Sequence, residues 1–377
     1  MLYCDSAATN LMIEDVVNTF NKYAKHEYGN PSAGHAIGKK AAISLNDCNR
    51  SFSQMIGALE PEIVWTSGAT ESNNTIILSF IHSQLKKNKR AYIFYHPLSH
   101  VSLIEPLTQF LENPNISIIE IPFCVNQAMI DFKFLIEKVK NPDETLILLP
   151  FGNNELGLID DYGQLTEWVK ENGVWVHFDA AQSLGKIKID LKKLPCHSMS
   201  FSGHKLGAPV GIGALFIRMR PRRDYQSVFL GGGQQEARRA GTVPLCLIQC
   251  FVAAVEYWLN KDIGLKLYEY QKKIITHLNS LNSSNIKLFL FKQMLPHIVT
   301  FYIAAKDENK VKIFNEKVIY SKGSACSSQA AKGSHQLSYL GYSIDQQTNI
   351  YRLSIGPDWT EQKNNELLKQ LTNLIGD

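Results

Sequence analysis

Val174-Trp175-Val176-His177-Phe178-Asp179-Ala180-Ala181-Gln182 decides how this chain folds. A short run of β-branched and aromatic residues stops at an acid and then turns small and polar. That is the pattern of a strand buried on both faces whose carboxyl end opens on a loop. The next such run, 198–201, leads into Ser202-Gly203-His204-Lys205. Upstream, Ile63–Thr66 leads into Ser67-Gly68-Ala69-Thr70-Glu71, and 145–149 leads toward Asn153-Asn154-Glu155. Ala91–Tyr95, 116–121 and Gly213–Ile217 complete the strand candidates of this half. Helical patterns over about 71–85, 99–111, 132–140 and 162–172 lie between most of them. Strands spaced by crossover helices predict an α/β fold with a mainly parallel, doubly wound sheet. Ligands bind beyond the carboxyl ends of such strands. The polar loops of this chain lie there, so together they describe one site.

Beyond about residue 245 the texture changes. Helices are predicted over 244–259 and 265–281, then strands at 297–303, 317–321 and Ile350–Ser354. This reads as a smaller α+β unit. The expected division is a large domain over 14–245 and a small domain formed by 1–13 and 246–377.

Composition narrows the function classes. The 377 residues are 45% hydrophobic and 20% charged, with a formal net charge of +4. That balance is ordinary for a globular protein, and without a polybasic stripe nucleic acid is not an expected partner. No apolar run is long enough to span a membrane, and none is expected. Met1-Leu2-Tyr3-Cys4-Asp5 lacks the basic and apolar regions of a leader peptide. The seven cysteines are scattered, with no Cys-x-x-Cys pair and no Cys/His cluster at zinc spacing. A reducing cytoplasmic setting is expected, with most cysteines serving as small core hydrophobes and no metal site.

Several residues could carry chemistry. The turn at 66–71 opens a helix, where free N–H groups and the helix dipole favour a phosphate; an ordinary N-cap is the competing reading. Asp179 can keep a pyridine nitrogen protonated, or simply cap a helix. Lys205 would serve as a Schiff-base lysine if desolvated, though an isolated lysine is usually a solvated surface residue. His100 could stack on a ring and relay protons, or cap its helix. His96 and His177 read as structural. Cys326 lies in Gly323-Ser324-Ala325-Cys326-Ser327-Ser328, a small, polar stretch that suggests an accessible thiol, reactive or merely exposed. Arg352, a charge inside an apolar strand, would pair with a carboxylate, internal or from a substrate.

Taken in order, these segments resemble the cysteine desulfurases of the class V aminotransferase group, over nearly the whole length. The resemblance is carried by Tyr3-Cys4-Asp5-Ser6-Ala7-Ala8-Thr9, Gly29-Asn30-Pro31-Ser32, Thr66-Ser67-Gly68-Ala69-Thr70-Glu71-Ser72-Asn73-Asn74 and Asn153-Asn154-Glu155-Leu156-Gly157. Asp179-Ala180-Ala181-Gln182, Ser200-Phe201-Ser202-Gly203-His204-Lys205, Arg239-Ala240-Gly241-Thr242, the Cys326 segment and Arg352-Leu353-Ser354-Ile355-Gly356 continue it.

The resemblance implies a fold-type I enzyme with a mainly parallel seven-stranded sheet. It also implies pyridoxal 5'-phosphate (PLP) as cofactor and L-cysteine as substrate. Lys205 would hold the cofactor and later move the Cα proton. His100 would stack on the ring, Asp179 would face the pyridine nitrogen, and Gln182 and Asn154 would hold the ring-oxygen side. Ala69, Thr70, Ser202, Gly203 and His204 would surround the phosphate. Thr242 would reach it from a second subunit, so a homodimer is implied. Arg352, helped by Asn30, would grip the substrate carboxylate. Cys326 would receive the sulfur as a persulfide and pass it to an acceptor protein, for iron-sulfur clusters, tRNA thiolation or another pathway. Selenocysteine lyase, or a weakly active member working as a sulfur-transfer partner, is the alternative. Departures from the family pattern stand at Ser6, Asn10, Val210, Gln235, Glu236 and Pro357.

Overall fold

The computed structural model describes residues 1–376 apart from 27, 126, 195, 221–223, 282–283, 305–306 and 324–332. Cys326 and its flanking serines therefore lie outside the described residues.

The strand Trp175–Asp179 sits at the centre of a seven-stranded sheet, as its apolar composition requires: all of its residues are buried. Spatial order runs Ile63–Thr66, Gly213–Ile217, Ser198–Ser202, Trp175–Asp179, Thr145–Pro150, Ala91–Tyr95, Ile116–Glu120. The Gly213–Ile217 strand is antiparallel to both neighbours, and the remaining pairs are parallel. All seven strands fall where the sequence pattern puts them, to within a residue at either end.

Register brings the chemistry-bearing ends together. Pro150 pairs with Asp179, Asp179 with Ser200, Ser202 with Gly213, and Gly213 with Thr66. Four carboxyl ends and the start of the Gly213–Ile217 strand therefore share one rim. Glycine is required at 213, because a Cβ there would meet Gly68 Cα and the Phe201 carbonyl oxygen at 2.5 Å. On one face, Phe52 of the helix Ala36–Ile56 packs on Trp65, Phe201 and Phe251, with ring centroids 5.2–5.6 Å apart. Such aromatic pairs add about 0.5–1.5 kcal/mol each beyond area burial. They tie that helix and the helix Leu245–Asn260 to the sheet.

A second, four-stranded antiparallel sheet is ordered Ile286–Leu288, Ile298–Ile303, Ile350–Ser354, Ser321–Lys322. The single strand expected over 317–321 is not formed. The helix Glu308–Lys317 runs up to it, Val318–Ile319 pairs in parallel with Leu2–Tyr3, and Ser321–Lys322 joins the four-stranded sheet. Between those two pairs the chain passes from one sheet to another at Tyr320, so one apolar-looking run serves two partners. The helices Glu14–His26, Ala36–Ile56 and Glu361–Ile375 also go beyond the elements expected from the pattern. Among the described residues no helix is long and apolar enough to cross a membrane.

Candidate active site

The shared rim opens on a cavity of about 380 Å³ lined from every loop the strand ends predicted. Ala69 and Thr70 contribute one wall, His100 and Asn154 a second, Asp179 and Gln182 the floor strand's loop, and Ser202, His204 and Lys205 the last.

The first wall suits an anion. Gly68 caps the helix Ala69–Lys86 without a side-chain hydrogen bond, which leaves the first helical N–H groups to a ligand. His204 stands nearby with Nδ1 3.2 Å from Thr9 Oγ1, and burial, reinforced by Lys205 and Lys186, pushes its pKa down to about 4. It is a neutral ring there, able to donate without adding charge.

Asp179 closes its strand with both carboxylate oxygens held. Oδ1 accepts from the Ala181 main-chain N–H at 3.0 Å and Oδ2 from the Asn73 amide at 2.9 Å. His100 is the N-cap of the helix Val101–Thr108, its Nδ1 accepting from the Ser102 N–H, and it also lines the cavity. The two readings of this residue, cap and cavity wall, are compatible. Burial lowers its pKa, with Asp179 opposing and Lys205 assisting.

Lys205 aims its Nζ at the carbonyl oxygens of Ala7 and Ala8, both at 2.6 Å. Its own carbonyl accepts from Asn10 Nδ2 at 2.6 Å and Lys186 Nζ at 3.1 Å. Asn10, a departure from the family pattern, thus clamps the backbone of this lysine. Gln182 donates to the Ala7 carbonyl at 2.8 Å and faces His297 at 3.2 Å through Oε1, which fixes its amide beside the same segment.

Four expected site residues stand elsewhere. Gly203 is not in the cavity lining: its N–H bonds the Ile212 carbonyl at 2.9 Å, and a Cβ would meet Ile212 at 2.9 Å, so it serves close packing. Asn30 is exposed, with Oδ1 accepting from the Ser32 N–H, and Thr242 is exposed and outside the cavity. Arg352 is buried behind Asn154, donating to the Asn154 carbonyl at 2.9 Å and to Asp5 and Ser321 at 2.8 Å each. The carboxylate that the sequence demanded for it is therefore an internal one. Its Nε is buried without a hydrogen-bond partner among the described residues.

A second cavity of about 650 Å³ shares His100 and Asn154 with the first. Gly323 and Gly333, which bracket the Cys326 segment, both line it. The buried cysteines behave as core residues: burial pushes the Cys48, Cys196 and Cys250 thiols up to about 12.

Two buried polar groups near the site carry no role in the sequence reading. Lys186 is 4% exposed, with Nζ over the Trp258 ring. Asn73 is fully buried among three polar partners, Ser102, Asp179 and His177.

The profile of the aminotransferase class-V family matches residues 2–365. The cysteine desulfurase IscS of Buchnera aphidicola subsp. Acyrthosiphon pisum (strain 5A) is 33% identical over an alignment of 372 residues that covers 96% of this chain and 89% of that one. A solved structure described as SspA in complex with cysteine superposes with a TM-score of 0.81 at 27% identity, covering 95% of this chain and 99% of that one. A NifS-like protein superposes with a TM-score of 0.86 over 98% of both chains, at 24% identity.

Proposed function

The chain belongs to the class-V aminotransferase family, whose chemistry depends on PLP, and we propose that it is a cysteine desulfurase. The observation that carries this reading is the single cavity between the Lys205 amine, the Asp179 carboxylate and an uncapped helix start. An amine, an acid and an anion site around one pocket are the donor set that PLP requires.

The residues present fit that cofactor. Ala69, Thr70, Ser202 and His204 would hold its phosphate, Asp179 would meet the ring nitrogen, His100 would cover the ring, and Gln182 and Asn154 would meet the ring oxygen. When bound, PLP supplies a protonated aromatic ring that accepts the electron pair left at the substrate Cα. Lys205, freed from the Ala7 and Ala8 carbonyls, takes the Cα proton at Nζ. His100, neutral at pH 7, moves protons at the substrate side of the ring.

Cys326 receives the sulfur. Its thiolate attacks the substrate sulfur as the C–S bond breaks, the bonding pair stays with carbon, and a persulfide forms. Protonation of the three-carbon remainder yields alanine. Support for this step is positional: the segment's flanks line the cavity that shares His100 and Asn154 with the first. A reducing compartment such as the cytoplasm keeps that thiol available, and an acceptor protein takes the sulfur onward.

Arg352 grips the substrate carboxylate only if the newcomer displaces Asp5 or Ser321, since its terminal nitrogens are engaged. Thr242, exposed in the single chain, suits a role across the boundary of a homodimer.

The test is a mass measurement after incubation with L-cysteine, alongside an assay for alanine. One added sulfur on the peptide containing Cys326, absent in Cys326→Ala, is expected. Alanine formation at full rate in Cys326→Ala would refute the sulfur-accepting role.

A further inference from the structure

Asn73, on the helix Ala69–Lys86, is fully buried, yet each of its hydrogen-bonding groups is matched. Its Nδ2 donates to Asp179 Oδ2 at 2.9 Å and to Ser102 Oγ at 2.8 Å, and its Oδ1 lies 3.0 Å from His177 Nε2. The amide cannot be turned over, because an ionised carboxylate only accepts and so must face the NH₂ group.

That orientation propagates in both directions. Oδ1 is an acceptor, so His177 carries its proton on Nε2. His177 Nδ1, 2.9 Å from Ser198 Oγ, is then an acceptor. Ser198 fits: its Oγ accepts from the Trp175 indole N–H at 3.0 Å and gives its own proton to His177. Burial, opposed by Asp179, lowers the His177 pKa to about 4, which keeps that ring neutral.

On the other side, Ser102 Oγ accepts from Asn73 and has its own proton to place. The partner is His100 Nδ1 at 2.8 Å, which also receives the Ser102 main-chain N–H at 3.2 Å. A ring nitrogen that receives two donors carries no hydrogen of its own. The proton of neutral His100 is therefore on Nε2.

We propose that Asn73 is a positioning residue that, through Ser102, sets His100 as the Nε2–H tautomer while aiming the Asp179 carboxylate. One buried amide thus orders the groups that meet two different parts of the cofactor. The significance for catalysis rests on the function proposed above; the tautomer does not.

Long-range proton–nitrogen NMR on the full chain labelled with ¹⁵N-histidine tests it. Wild-type His100 is expected as the Nε2–H form at pH 7, with His177 in the same form. In Asn73→Asp the new carboxylate draws the Ser102 hydroxyl proton, Ser102 Oγ can then only accept, and the Nδ1–H form of His100 should rise at least tenfold. In Ser102→Ala, which leaves the Asn73–Asp179 contact in place, the two tautomers should become mixed. A wild-type His100 protonated on Nδ1, or a tautomer unmoved in both variants, overturns the proposal. The spectra separate the two readings: a protein that does not form a coloured complex with PLP yet shows the expected tautomers sinks the proposed function and leaves this assignment standing.

Discussion

The Nζ of Lys186 donates to the main-chain carbonyl oxygen of Lys205 at 3.1 Å, so a buried lysine braces the backbone of a half-buried one. Burial, reinforced by the Lys205 charge, lowers the Lys186 pKa from 10.5 to about 7. The unfolded chain therefore binds this proton between about pH 7 and 10.5 while the folded chain does not. Stability from this group rises with pH across that window, and the penalty is fully present below it. Lys186→Met should remove that slope. Urea unfolding midpoints of wild type and variant, compared from neutral to alkaline pH, check it: the gap between them should narrow as pH rises.

Glu155 gives the opposite sign. Burial raises its pKa from 4.5 to about 7, against the Ser334 hydrogen bond and the Arg352 charge. The folded chain holds a proton that the unfolded chain has released between those values, so stability falls as pH climbs from about 4.5 to 7. Glu155→Gln should flatten that fall. Ser334→Ala, which removes the hydroxyl bonded to Oε2 at 2.5 Å, should steepen it at the upper end. Unfolding midpoints at pH 5 and pH 7 distinguish the three proteins.

The departure at Gln235 has a structural role. Its side-chain amide accepts from the Trp65 N–H at 2.6 Å and donates to the Trp65 carbonyl at 3.0 Å, which seals part of the sheet's edge strand. Gln235, Glu236 and Ala237 all adopt left-handed backbone, with φ of 51°, 58° and 60°. Gln235→Ala should lose about 1–3 kcal/mol, because two backbone groups lose their partner. Glu236→Gly should gain up to about 1 kcal/mol, since glycine adopts that region without steric penalty. Chemical denaturation measures both.

Lys205→Ala should abolish alanine formation, by at least about a thousandfold, since proton removal at Cα loses its base. It should also remove the visible band of the PLP-bound protein while leaving the unfolding free energy within about 1 kcal/mol of wild type. A band unchanged in the variant would show that another amine holds the cofactor.

The sheet was legible because its strands are short, apolar and bounded by small polar turns, as at 174–182. The loop residues Asp179, Lys205 and Thr70 were legible for the same reason: strand ends in a parallel sheet must open on one rim. Asn73 was not. A polar residue inside a helix reads as solvent-facing, and only the tertiary fold shows that its side of the helix is covered by Asp179, Ser102 and His177. Lys186 escaped likewise, since a lysine sealed beside a tryptophan has the same sequence signature as an exposed one. The run at 317–321 misled because pattern alone gives no sign that neighbouring pairs of residues join different sheets.

The segment around Ala7 and Ala8 joins distant parts of the molecule. Its carbonyls hold the amine of Lys205, the Ala7 N–H bonds Ser354 Oγ at 2.9 Å, and Leu2–Tyr3 pairs with Val318–Ile319. During synthesis the early residues leave the ribosome long before these companions exist, so the pocket stays unfinished until nearly the last strand has emerged. A nascent chain would thus be unable to consume its substrate, and a truncated translation product should be inert.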